Sequence, residues 1–335
     1  MADIRVVSAP YASKSWHEVV AQMNPVPVSV LSSWLDYQRI YGQQAGHGFE
    51  DLSVTFMLGD RPIAVWPRAL VKDDSGGAFV TSLPGTLREP CTAEGLSANE
   101  LKALSSAALS DLMGTCQLAR AVADLACHIG SHGELTPLGE RVSRSFESVG
   151  ASVELVVDLS DGKPGAWRSV RRSYRSLISG MNRVASTRIS TDPADLPVLK
   201  GLHLAAAGRT TRSEETWTSQ ARAMEEGNAF LVLVSSLPEG GEDIGGALIY
   251  HSAWQAEYAV GAYDRALQST NAPVGHLAQW AAIEYLCEHT EVKSYILGRF
   301  SRLDEWRGKL GGINQFKSGF ANRYVAHPVF RIRPD

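Results

Sequence analysis

Cysteine is scarce in this chain of 335 residues, and the little there is has no pattern. Cys91, Cys116, Cys127 and Cys287 lie far apart, form no Cys-x-x-Cys pair and show no metal-ligand spacing. That excludes a zinc ribbon or a disulfide scaffold and reads as small buried side chains in a reducing compartment. The histidines also lack ligand spacing, so no metal is expected. No window approaches the roughly 18 uninterrupted apolar residues of a membrane span. The opening Met1-Ala2-Asp3-Ile4-Arg5 has no apolar run behind it and does not read as a signal peptide. A soluble cytoplasmic protein is expected, one that could still meet a lipid-linked or nucleotide-linked substrate by peripheral contact with the inner membrane. Basic excess is missing as well. A net charge of −4 argues against a coat on nucleic acid, so no DNA partner is expected and any phosphate site has to be a local basic patch.

What is present is a core-forming composition, 44% hydrophobic and 20% charged, on a chain long enough for about two domains. Periodicity predicts helices over 29–41 and 101–113, a strand or short helix over 119–125, and a strand over 153–158. Residues 52–58 and 61–71 read as a hairpin about Gly59-Asp60. The polar run 160–165 reads as a loop, which places the domains at 1–162 and 163–335. The second half predicts helices over 167–184, 195–207 and 213–226. Ser213 caps the last of these, with Glu214 and Glu215 in its first turn. Strands follow over 229–234, 244–250 and 256–263, then a helix over 275–289 and a strand over 294–297. Gly298 opens a basic loop with Arg299, Arg302, Asp304, Arg307 and Lys309.

Several groups could carry chemistry. On the helix 167–184, Trp167, Val170, Tyr174, Leu177, Ile178 and Met181 make one apolar face. Arg168, Arg171, Arg172, Arg175, Arg183 and Arg188 lie on or near the rest, with no acidic residue between Gly162 and Thr191. Unbalanced guanidinium groups on one face suit an anionic, phosphate-bearing partner; the alternative is neutralisation by acidic residues of the other domain. His203 and the run Arg209-Thr210-Thr211-Arg212 offer either an acceptor pocket or a polar linker capping the next helix. Trp217 could stack a sugar or pack the core. On the strand 256–263, alternation puts Tyr258 and Val260 on one face and Gly261 and Tyr263 on the other, with room for an acyl group beside Gly261. Asp264 could orient an amine or act as its base, or simply form the turn.

The run Gly311-Gly312-Ile313-Asn314-Gln315-Phe316-Lys317-Ser318-Gly319-Phe320 is the densest cluster of such residues. Phe316 and Phe320 can pack, the glycines allow close approach, and Lys317 is either held ready to meet an anion or points at water from an ordinary late strand.

The string Ile313-x-x-Phe316-Lys317-x-Gly319-Phe320 resembles the C-terminal signature of the Fem family of aminoacyltransferases. Three further segments are similar to that family: Arg171-Arg172-Ser173-Tyr174-Arg175-Ser176-Leu177-Ile178, then Leu202-His203-x5-Arg209-x-Thr211 with Trp217, then Tyr258-Ala259-Val260-Gly261-Ala262-Tyr263. Together they span 167–324, about half of the chain. The resemblance implies a mixed α/β fold of two acetyltransferase-like (GNAT-like) domains packed side by side, the first a degenerate copy. It implies that the basic helix lies by the substrate region and that the strand of Tyr258 floors the active cleft. It further implies an aminoacyl-tRNA donor and no tightly bound cofactor. The glycine-rich loop by which GNAT enzymes hold coenzyme A is replaced here by Gln268-Ser-Thr-Asn-Ala-Pro-Val-Gly-His276, and Pro273 removes an amide donor.

The function expected is acyl transfer. Lys317, Tyr263 and Asp264 are the catalytic candidates. Arg171, Arg172, Arg175, Arg209, Thr211, Arg212, Trp217, Tyr258, Arg299 and Phe316 are the substrate-binding candidates. The acceptor expected is an amine of a nucleotide- or lipid-linked sugar or muropeptide precursor. Two alternatives stay open: an acyl-CoA-dependent N-acyltransferase of an amino sugar, and a non-catalytic scaffold that binds a sugar nucleotide. The scaffold predicts Lys317 locked in a structural salt bridge.

Overall fold

A computed structural model describes residues 3–44, 48–73, 75–82, 85–130, 132–237, 241–264, 267, 272–300 and 309–334. The chain divides into two compact units, Met1–Ser152 with Ala326–Asp335, and Val153–Val325. The sequence reading put the boundary at 162/163, in a polar loop. The units divide instead within a strand, β10 (Glu147–Asp158), so no Gly- or Pro-rich linker marks the place.

Unit 1 holds β1 (Ile4–Ser8), α1 (Lys14–Val20), α2 (Ser32–Gln44), β2 (Gly48–Asp51), β3 (Val54–Leu58), β4 (Arg61–Trp66), β5 (Ala69–Lys72), β6 (Ala78–Thr81), β7 (Leu87–Arg88), β8 (Cys91–Thr92), α3 (Ala98–Ala119), β9 (Val122–Ala126) and α4 (Pro137–Ser145). The predicted hairpin is β3–β4, turning at Gly59 with φ of 59°. Its second arm is shorter than expected. Pro67 interrupts it, and Arg68 buries its guanidinium, donating Nε–H to Leu52 O and pairing with Asp111 of α3. β4 therefore belongs to the sheet β1-β3-β4-β8, whereas β5 pairs with β2 and β6. Helix α3 starts at a reciprocal Ser97–Glu100 cap and buries Leu104, Ala108, Leu112 and Cys116, one residue per turn. Of the stretch 119–125, expected as a strand or short helix, Ala119 ends α3 and the part from Val122 on is the strand β9.

In unit 2, β11 (Ala185–Ser190) leads to α7 (Leu196–Ala207) and α8 (Glu214–Glu225), then β12 (Ala229–Ser236), β13 (Asp243–His251) and β14 (Gln255–Tyr263). These four strands pair antiparallel in that order. Helix α9 (Val274–His289) then crosses over to β15 (Ser294–Phe300), which runs parallel to β14 and antiparallel to β10. Ser213 caps α8 as predicted, accepting from Thr216 N–H. Helix α9 is the spine of the core. Leu277, Ala278, Ile283 and Leu286 are buried beside Phe230, Val232, Ile249 and Leu297.

The expected single helix 167–184 is two, α5 (Gly162–Ser169) and α6 (Arg172–Met181). The break has a cause: the Arg171 N–H is donated to Gly319 O at 2.8 Å instead of to the preceding turn. Lys317 lies not on a strand but in α10 (Lys309–Ser318). The late strand is β16 (Arg323–Ile332), which starts in unit 2 and ends in unit 1 against β9.

Candidate active site

Two features of unit 2 open a wedge. β14 and β15 pair only through Gln255–Glu257 and Ser294–Ile296, and then diverge. Each strand also carries a bulge there. On β14, Tyr258 and Val260 face consecutive residues of β13, leaving Ala259 extra. On β15, Ile296 and Gly298 face consecutive residues of β10, leaving Leu297 extra, with Gly298 at φ of 110°. Among the described residues unit 1 shows no such opening. There β9 pairs with β6 at Val122–Ala123 and then with β7 at Leu125–Ala126, so a second segment fills the gap.

The bulge overturns one expectation. Strict alternation would separate Tyr258 from Gly261 and Tyr263, yet the Tyr258 and Tyr263 hydroxyls are 3.3 Å apart. The extra residue shifts the parity, so all three share a face. A Cβ on Gly261 would overlap the Tyr258 hydroxyl. The space beside Gly261 therefore holds a tyrosine, not an acyl group. Burial raises the phenol pKa of both tyrosines, Tyr263 well above 10, so both are protonated at neutral pH.

Lys317 reaches this pair from α10. Its Nζ lies 5.8 Å from the Tyr258 ring centroid and 2.8 Å from where a Gly298 Cβ would sit. Any larger residue at 298 would displace the ammonium. Burial lowers the Lys317 pKa, opposed by the negative charge of Glu257 on β14. The Lys317 carbonyl accepts from the Phe320 and Ala321 N–H groups, but among the described residues its ammonium makes no hydrogen bond and no ion pair.

The flanks of Lys317 explain its motif. Tyr174 of α6 packs on Phe320 with ring centroids 5.4 Å apart and donates its hydroxyl to Gln315 O at 3.0 Å. A Cβ on Gly319 would overlap the Tyr174 ring, so glycine is the price of that contact. Phe316 and Phe320 pack at 5.6 Å, as expected. Both approach His276 near the start of α9, which Tyr174 meets edge-on at 4.3 Å. Burial, with the Arg171 charge adding to it, lowers the His276 pKa to about 4. Arg171 stands over the Tyr174 ring at 5.0 Å and reaches Ser318 Oγ.

The structure thus gathers Lys317, Tyr258 and Tyr263. Arg212 hydrogen-bonds His203 Nε2, and its charge is close enough to lower the Tyr258 phenol pKa against burial. Arg171 and Phe316 stand on the α6 side of the same motif. Arg172 and Arg209 are exposed, Arg175 and Thr211 half-buried, and no measured contact ties these four to Lys317. Asp264 follows β14 and donates its N–H to Ile244 O. Two expectations change. Trp217 is 6% exposed and packs edge-on to His203, so it is core and not a stacking platform. Arg299 lies on β15, opposite Glu154 of β10, and not in a loop. Arg302, Asp304 and Arg307, and Gln268 of the replaced coenzyme loop, lie outside the described residues.

Sequence reasoning missed Tyr295 and Gln279. Tyr295 is fully buried and donates its hydroxyl to Gln279 Oε1 at 2.9 Å. A signal existed: Gln279 is a lone amide in the apolar run Leu277-Ala278-Gln279-Trp280-Ala281-Ala282-Ile283. No group of three His, Cys, Asp or Glu able to hold a metal occurs among the described residues. None of the described helices is long and apolar enough to cross a membrane.

The chain superposes on FemX with a TM-score of 0.65 at 13% identity, covering 90% of this chain and 91% of that one. It has the FemX fold. A protein of unknown function from Bacteroides thetaiotaomicron VPI-5482 shares that fold with a TM-score of 0.57 at 9% identity, over 99% of this chain and 100% of that one. L-PGS from Bacillus licheniformis matches with a TM-score of 0.51 at 12% identity, over 85% and 83%. No protein-family model matches the sequence, and no curated protein does. The fold implied by the Fem resemblance is therefore the fold found, at identities where sequence comparison alone finds no relative.

Proposed function

We propose that this chain is an acyltransferase that moves an aminoacyl or acyl group onto an amine of a cell-envelope precursor, a peptidoglycan unit or a surface-polysaccharide amino sugar. The observation that carries this reading is Lys317. A half-buried ammonium with no ion-pair partner among the described residues stands at a strand wedge beside two protonated tyrosines. A structural scaffold would have locked that charge in a salt bridge.

The chemistry follows from the charge that develops. The amine nitrogen attacks the ester carbonyl carbon, a C–N bond forms, and the carbonyl electron pair moves to oxygen. Collapse breaks the ester C–O bond, and the proton lost by the amine goes to the leaving oxygen. Lys317 would face the transient oxyanion, with the tyrosine hydroxyls as neutral donors. Burial, by lowering its pKa, makes the ammonium a stronger donor. Arg212, whose charge reaches Tyr258, and Arg171, which stands over Tyr174, would take phosphates of the acceptor or donor.

A charged tRNA is favoured over acyl-CoA as donor. Pro273 is the N-cap of α9 and offers no N–H where the first helical turn would meet a pyrophosphate. The test is a donor panel. Purified protein receives either a mixed charged-tRNA pool or a set of acyl-CoA esters, with UDP-linked amino sugars and muropeptide precursors as acceptors. Transfer from charged tRNA alone is expected. Transfer from acyl-CoA would move the assignment to an N-acyltransferase. Silence with both, together with tight binding of the sugar nucleotide, would favour the scaffold.

A further inference from the structure

The outer side of α6 is a surface of another kind. The inner stripe of that helix, Tyr174, Ile178 and Met181, is buried. The turn after it continues the winding, with the Arg183 N–H donated to Gly180 O and the Val184 N–H to Met181 O. Arg172, Arg175 and Arg183 therefore fall on the broad face away from the buried stripe. Among the described residues none of these three guanidinium groups makes an ion pair or a hydrogen bond. Arg188 on β11 gives the contrast, for Asp195 and Asp243 neutralise it. Neutralisation of the α6 arginines by acidic residues elsewhere in the chain is thus not what the described residues show, and like charges this close repel one another.

Aliphatic side chains stand exposed beside these charges. Leu177 and Val184, seven residues apart by number (184 − 177) and so two turns along one stripe, are 38% and 59% exposed. The Val184 carbonyl accepts the Leu237 N–H at 2.9 Å, which brings Leu237, 42% exposed, alongside. One such side chain in water is ordinary; three in a row next to unpaired arginines make a surface of defined chemistry. The exposed side chains between Arg172 and Arg183 are Ser173, Ser176, Leu177, Ser179 and Asn182, with no aromatic on which a base could stack. The charge gives the sign of the partner, and the aliphatic residues favour a lipid surface over a nucleic acid.

We propose that this face docks the protein on an anionic phospholipid bilayer. Arg172, Arg175 and Arg183 meet lipid phosphates, and Leu177, Val184 and Leu237 enter the boundary between headgroups and acyl chains. The opposite side of α6 carries Tyr174, whose hydroxyl bonds to α10, so docking would bring the helix of Lys317 close to lipid-borne groups. The inference does not rest on the acyl-transfer reading, and each can fail without the other.

Cosedimentation of the full chain with vesicles tests it. One set is phosphatidylcholine alone, the other equal parts phosphatidylcholine and phosphatidylglycerol, and a mixed tRNA pool is the competing polyanion. Binding to the anionic vesicles alone is expected, weakening as salt is raised. Arg172→Gln, Arg175→Gln and Arg183→Gln together should lower partitioning on the order of a hundredfold. Leu177→Ser, Val184→Ser and Leu237→Ser together should lower it about tenfold at unchanged charge. Thermal unfolding checks that each variant is folded; if a triple variant is not, the exposed single changes Arg172→Gln and Leu177→Ser replace it, each expected to cause a loss of about fivefold. No binding to anionic vesicles, or equal binding to both kinds, overturns the inference. So does vesicle binding that either set of substitutions leaves unchanged. Binding of tRNA without vesicle binding, lost with the three arginines, would assign the face to nucleic acid instead. Vesicle binding by a protein that transfers from no donor would sink the acyl-transfer reading and leave the docking face standing.

Discussion

At the scale of single residues, small side chains and buried charge set the site. Gly319 lies against the Tyr174 ring and Gly298 beneath the Lys317 ammonium. Gly319→Ala is expected to cost about 1–3 kcal/mol by forcing Tyr174 outward, read as a lowered urea midpoint. Lys317→Met should not destabilise the fold, since it removes a cation that burial disfavours. Its pH signature is distinct. The folded pKa of Lys317 lies below the ordinary 10.5, so the unfolded chain holds the proton longer and wild-type stability rises as pH climbs toward 10.5. Lys317→Met should abolish that part of the rise. His276 gives the same sign in a lower window. Its pKa falls from 6.5 to about 4, so stability is lost as pH drops from 6.5 toward 4. Urea midpoints across that range should flatten in His276→Phe; a slope unchanged by the substitution would remove His276 from the account.

At the scale of elements, the sequence was most legible where periodicity and capping agree. The antiparallel strands of unit 2, the long helix before β15 and the Ser213 cap all follow from alternation, an apolar run and a serine before two glutamates. What could not be read was local irregularity imposed by distant partners. The α5–α6 break depends on Gly319, some 148 positions further on by sequence number (319 − 171). The shared face of Tyr258 and Gly261 depends on one extra residue opposite β13. Periodicity cannot see either, because each is decided by a neighbour outside the window. The α6–α10 contact offers a clean element-scale test. Tyr174→Phe keeps the ring on Phe320 and removes only the bond to Gln315 O. It should cost about 1 kcal/mol, and because that bond steadies the helix carrying Lys317, transfer should fall by more than the stability loss explains. Activity indistinguishable from wild type would show that α10 holds Lys317 without Tyr174.

For the molecule as a whole, the resemblance read from four short motifs and the fold found by superposition agree, although identity to FemX is 13%. Three of the four motifs that carried the resemblance supply Tyr258 and Tyr263 from β14, Lys317 from α10, and Arg171 with Tyr174 at the start of α6; in the fourth, Trp217 packs in the core and no contact ties Arg209 or Thr211 to Lys317. The two units differ in the feature that matters. In unit 2 the parallel pairing of β14 and β15 stops after three residues, whereas in unit 1 β7 continues the pairing that β6 begins. A single reaction centre in unit 2 is what this asymmetry favours, and substitutions at Leu87 or Arg88 should alter stability without altering transfer chemistry. The most direct test of the central claim is the transfer rate of wild type and Lys317→Met, compared side by side under identical donor and acceptor, with thermal unfolding of each as the control for folding. The account predicts a loss on the order of 10²–10³-fold in kcat with the fold retained. A folded Lys317→Met protein that transfers as fast as wild type would contradict it.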